Sequence, residues 1–120
     1  MVMKKILLSL AIMLTATSTQ AAEPLVIIRF NQSRVYYDQQ LYKAISQAVA
    51  IKPEVMIDVV SYAPETNNTT IDRQWQAAAS QHTQQVVATL NSIGVPSSRI
   101  SVSGQTMAGI RYDETHVFVR

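Results

Sequence analysis

The sequence predicts one two-layer α/β domain: a four-stranded mixed sheet with two helices on one face, in the order β-α-β-α-β-β. Three observations carry that prediction. Compact β-rich runs at residues 25–30 and 55–62 alternate between two faces, as strands do. Each is followed by a stretch whose apolar residues recur at helical spacing, and a strand–helix–strand order lays the helix across the sheet. Pro53, and later Gly94 with Pro96, stop the two helical stretches where each hands over to the next strand.

The elements follow in order. In the first strand Val26, Ile28 and Phe30 share one face, and Leu25, Ile27 and Arg29 the other. Asp38 suits the N-cap of a helix over 39–50, whose stripe is Leu41, Ala44, Ile45 and Ala48. The second strand, 55–62, ends at Pro64, and a polar loop of turn formers spans 63–70. Thr69 or Thr70 can cap a long helix over 71–93, with Asp72 near its positive end. Ile71, Trp75, Ala78, Ala79, His82, Val86, Leu90 and Ile93 share one side of that helix. A short strand at 99–103 is broken by Gly104. A Gly-containing loop over 105–112 leads to a last strand at 114–120, which can pair antiparallel with its predecessor.

Residues 1–21 read as a cleaved secretory signal peptide. Lys4 and Lys5 form a basic start, residues 6–14 are apolar but for Ser9, and Thr19 and Ala21 suit a cut before residue 22. The apolar run falls short of the roughly 20 residues that span a bilayer. The domain is then 22–120, with eight basic and eight acidic residues. No basic run remains to bind nucleic acid or an anionic surface. The chain has no cysteine, which excludes a disulfide framework, a thiolate nucleophile and a lipid anchor on an N-terminal Cys.

The run after the second helix is distinctive: Val86-Val87, then Leu90-Asn91-Ser92-Ile93-Gly94-Val95, then Arg99-Ile100-Ser101-Val102-Ser103-Gly104. With the strand ending in Phe30, the helix carrying Leu41, and Pro53 before a Val/Ile strand, it resembles the C-terminal domain of the OmpA family over nearly all of 25–120. The resemblance implies the same fold and a peptidoglycan site in the bacterial envelope. In that family an Asp and an Arg grip the carboxylate and amine of diaminopimelate, as a zwitterion is best held by a fixed anion and a guanidinium fork. In this sequence the Arg position is His82, followed by Thr83; Ala78-Ala79 replaces Leu-Ser, and Trp75 replaces Asn. The Asp position falls on Ala63-Pro64, or on Asn67 if the loop carries an insertion. The Asn-Arg-Arg signature falls near Glu114-Thr115-His116. Both charges of the clamp are absent unless Glu65 or Asp72, with Arg73 or Arg111, supplies them.

The candidate ligand residues are therefore Asn67, Asn68, Arg73, His82 and Arg111. Each has a plain alternative. His82, which protonated below about pH 6 would replace the Arg, is otherwise a core-edge helix residue with its ring satisfied. Asn67 and Asn68 present amides to a ligand or form a solvated turn. Trp75 is a sugar platform or rim packing. A separate candidate is the sheet face away from the helices. There Ile27, Met56, Val60, Tyr62 and Phe118, with Leu25, Arg29, Asp58 and an outward, surface His116 among them, form either a partner surface or the β-branched and aromatic covering that an open sheet face ordinarily carries. Catalytic motifs are absent, and His82 with His116 has no metal-ligand spacing, so no enzyme, metal or cofactor is expected. The sequence thus leads to a periplasmic, non-enzymatic envelope domain of a Gram-negative bacterium, linked to the outer membrane through partners. It either binds peptidoglycan through an atypical site or serves as a docking subunit of an envelope-spanning assembly such as a secretion system.

Overall fold

The computed structural model describes residues 23–120; the signal peptide expected at 1–21 lies outside the described residues. The elements are β1 (Val26–Arg29), α1 (Asp38–Ile51), β2 (Ile57–Pro64), α2 (Thr69–Ile93), a single 3₁₀ turn at Ser97–Arg99, β3 (Ile100–Met107) and β4 (Glu114–Val119). They form one four-stranded mixed sheet in the order β1-β4-β2-β3. The last strand is not the neighbour of the one before it. β4 inserts between β1 and β2, antiparallel to both, and β3 pairs parallel to β2 at the edge. β4 is the better central strand because Thr115 and Val117 are completely buried, whereas most of β3 is exposed.

Both helices pack on the same face. Leu41 and Ile45 from α1, and Val86 and Leu90 from α2, meet Val26, Ile28, Ile57, Val59 and Val117 in one core. Each such side chain contributes about 1.5–3 kcal/mol of burial, the main term holding the layers together. The pattern Val26, Ile28, Phe30 inward is realised, with Arg29 exposed.

Helix ends differ in detail from the sequence reading. Asp38 is the first residue of α1 and not its cap; Tyr37 occupies the cap position without a side-chain bond, and Asp38 sits in the positive first turn. Lys52 is extended, as a residue before proline must be, and ends the helix. α2 starts two residues early because its cap is Asn68, whose Oδ1 accepts the Ile71 N–H at 3.0 Å. Its stop is as predicted. Gly94 takes φ 117°, its N–H donates to the Asn91 carbonyl, and the Val95 N–H donates to the Leu90 carbonyl. Val95 and Leu90 are both buried in the core.

Gly104 does not break β3, which runs on to Met107. It lies opposite Ser61 of β2, and a Cβ there would come 3.1 Å from Ser61 Oγ. The glycine allows close approach within the sheet, so the connection to β4 is shorter than the sequence suggested.

Candidate functional site

The loop at 65–68 is closed on itself. Asp72 Oδ1, one turn into α2, accepts both the Thr66 N–H (2.8 Å) and the Thr66 hydroxyl (2.6 Å). The Asn68 N–H donates to Thr66 Oγ1, and the Thr66 hydroxyl also reaches the Asn68 carbonyl. Two candidates thereby acquire structural duties: Asn68 caps the helix, and the Asp72 carboxylate binds its own loop. Asn67 and Arg73 are exposed beside them.

His82 lies one face further along α2. Its Nδ1 is 2.7 Å from Asp113 Oδ2, and its ring stacks on Phe30 with centroids 4.0 Å apart and planes 3° from parallel. The Asp113 side chain is only 1% exposed. The Phe30 N–H donates to the Asp113 carbonyl at 3.0 Å. Three residues therefore lock the end of β1, the middle of α2 and the start of β4 together. Thr83, the next residue on the helix, is buried, and its hydroxyl donates to the Ala79 carbonyl. The Nδ1 side of the His82 ring is thus held within the chain, in keeping with the plainer of its two sequence readings.

Trp75 is half-buried and meets Tyr112 edge to face at 6.3 Å, tying the β3–β4 loop to the start of α2. Arg111 is exposed next to Tyr112. The ligand candidates do not converge on a cavity. A groove of about 760 Å³ between α2 and β3 is lined by Ala79, Ser80, Thr83, Val87 and Val102 among others. A second hollow, of about 610 Å³, lies between the helices around Tyr42 and Thr89. Neither is lined by Asn67, Asn68, Arg73, His82 or Arg111.

The sheet face away from the helices is a regular grid set by strand register. One row reads Phe118, Asp58, Ser101; the next Ile27, His116, Val60, Ser103; the next Arg29, Glu114, Tyr62, Gln105. Met56 lies beyond the first row, exchanging two backbone bonds with Arg120. The predicted partner residues thus share one surface. Its charges are neutralised locally. Arg120 donates to both Asp58 oxygens, at 2.8 and 3.1 Å, and Ser101 Oγ donates to Asp58 at 2.6 Å. These bonds, Arg120's first, hold the Asp58 carboxyl below its ordinary range. Glu114 bonds His116 at 2.8 Å and faces Arg29 at 3.6 Å. His116 is less outward than expected: it is half-buried, tilted against Tyr62 with ring centroids 4.5 Å apart. The sequence reading missed Asp113 and Arg120 as partners. Alternation places Arg120 on this face, but its pairing with Asp58 needs the β2–β4 register.

Among the described residues, no group of three His, Cys, Asp or Glu side chains could hold a metal ion. No described helix is long and apolar enough to cross a membrane. The chain matches no protein-family model and no curated protein.

Proposed function

We propose that this chain is an exported, non-enzymatic envelope domain whose work is docking to protein partners, with the peptidoglycan grip of the OmpA-like scaffold given up. The observation that carries this reading is the His82–Asp113 pair. His82 stands where the resemblance places the ligand-gripping Arg, and its ring is held by a buried carboxylate of the same chain and by Phe30. A side chain so held offers no free fork to an incoming carboxylate. The open sheet face supports docking: Ile27, Val60, Tyr62 and Phe118 form its apolar part, and its ion pairs are already made within the chain. Such a surface costs little desolvation of unpaired charge when a protein covers it. The partner is an envelope protein with an apolar patch of matching size.

A second reading has its own observation. Trp75 and Tyr112 form an aromatic pair at the start of α2, flanked in sequence by exposed Arg73 and Arg111. An aromatic face with nearby guanidinium groups suits weak contact with a glycan or its anionic peptide.

Purification of the chain from native membranes separates the two. Docking predicts partners in fixed stoichiometry that Phe118→Asp or Met56→Asp releases while the circular dichroism stays unchanged. Retention of all partners by both variants would remove the open face from the account.

A further inference from the structure

We propose that the chain forms a twofold dimer in which β3 pairs antiparallel with β3 of a second copy. The proposal rests on the opposite edge of the sheet from β1 and is independent of the open face.

β3 pairs with β2 along all eight of its residues, and its other side meets no strand among the described residues. Free strand edges are normally guarded by shortness, charge, proline or a bulge. The β1 edge is guarded: it has four residues, follows Pro24 and ends in Arg29. β3 has none of these devices. Its sequence, Ile100–Met107, contains no charge and no proline, and its register with β2 is unbroken.

The helix layer also stops short of this edge. α2 lies chiefly over β2. Val102 is therefore 55% exposed on the helix side, at the floor of the groove walled by Gln76, Ser80, Gln84 and Val87. An edge of unpaired backbone groups beside an uncovered groove is the geometry of strand addition.

The charge pattern selects the occupant. From Gln74 to Ser98 the chain has no Asp, Glu, Lys or Arg, so groove wall and strand offer nothing to a charged partner. On the open face the Asp58 charge beside Ser101 is matched by Arg120, and the other charges near the strand stand at its two ends. Arg99, whose guanidinium also donates to the Pro53 carbonyl at 2.6 Å, precedes β3, and Glu65, whose N–H donates to the Met107 carbonyl, stands at its far end. Antiparallel pairing brings the Arg99 end of each copy to the Glu65 end of the other, so that opposite charges stand near each other at both ends of the seam. Parallel pairing would set Arg99 against Arg99. The antiparallel arrangement closes as a twofold dimer, its axis near Ser103 and Gly104, and yields one continuous sheet. Both α2 helices then lie on the same side, three strand spacings or roughly 14 Å apart. Contacting helices sit about 8–10 Å apart, so the long Gln76 and Gln84 side chains reach across the remaining gap and pair their amides.

Sedimentation velocity of the purified chain over a concentration series tests this. The expected result is a monomer–dimer equilibrium reaching twice the chain mass. Val102→Lys should abolish the dimer and Glu65→Arg should weaken it about tenfold or more, both with unchanged circular dichroism. The double change Glu65→Arg with Arg99→Glu should restore it. Backbone amides of β3 should gain hydrogen-exchange protection as concentration rises. A monomer at every concentration would overturn the proposal. So would a dimer indifferent to Val102→Lys, or a monomeric chain whose β3 amides are protected only by an added extended peptide.

Discussion

His82 Nδ1 lies 2.7 Å from Asp113 Oδ2, thirty-one residues away in sequence, and the carboxylate it meets is almost fully buried. The contact ties α2 to the start of β4. It also holds in place the side chain that stands where the proposed reading puts a ligand-gripping Arg. A carboxyl group buried this deeply needs its partner, and removing either side loses the hydrogen bond and the packing it fixes.

Asp113→Ala should therefore destabilise the domain by about 1–3 kcal/mol. Urea denaturation checks this, and the slope of the transition should stay constant if only the native contact is lost. In nuclear magnetic resonance spectra the His82 ring should lose its fixed orientation over Phe30.

Thr115 offers the opposite case. Its hydroxyl is buried between Ile28 and Ser61 in the sheet register, without a hydrogen-bond partner among the described residues. Thr115→Val keeps the β-branched shape and removes the unmatched polar atom. The domain should gain about 1 kcal/mol, read as a rise in the urea midpoint. A loss of that size would mean that the hydroxyl has a partner in solution.

Gly94 and Gly104 should behave differently. Gly94→Ala forces an L side chain into φ 117°, where only the backbone resists, since no atom stands within 4 Å of the new Cβ. It should cost about 1–2 kcal/mol. Gly104→Ala meets only the Ser61 hydroxyl at 3.1 Å, and Ser61→Ala beside it should recover much of whatever it costs. Thermal denaturation of the three variants and the double variant tests the contrast.

Asp58 sets a pH dependence. Arg120, and then Ser101, lower its folded pKa below the ordinary 3.8. A depressed carboxyl stabilises the fold fully above its unfolded pKa, and that contribution disappears as pH falls through the folded value. The Arg120→Gln variant removes the larger cause. Its stability should fall below that of the parent chain at neutral pH, and the gap should close in acid, below about pH 4. Acid titration of both proteins followed by circular dichroism reads this; a gap that is constant with pH would assign the effect to packing.

Much of this fold was legible in the sequence. Period-two runs, a helical stripe through Val86 and Leu90, and the Gly94 stop are local signals, and each survives in the structure. Register and strand order were not legible, because they depend on pairs distant in sequence. β4 lies between β1 and β2 because Val117 is wanted in the core, and no local pattern in 105–113 says so. Gly104 misled for the same reason: as a strand breaker it is a local reading, whereas its use is the approach to Ser61. At the candidate site, sequence counting found His82 and placed it at the core edge. It did not find Asp113, whose burial follows from where β4 docks.

Co-sedimentation with insoluble peptidoglycan tests the central claim most directly. With His82 held by Asp113, the chain should remain in the supernatant at low and moderate salt. Retention in the pellet that free diaminopimelate displaces would contradict the account, and would return the Asn67, Arg73 and Arg111 region to the role of a ligand site.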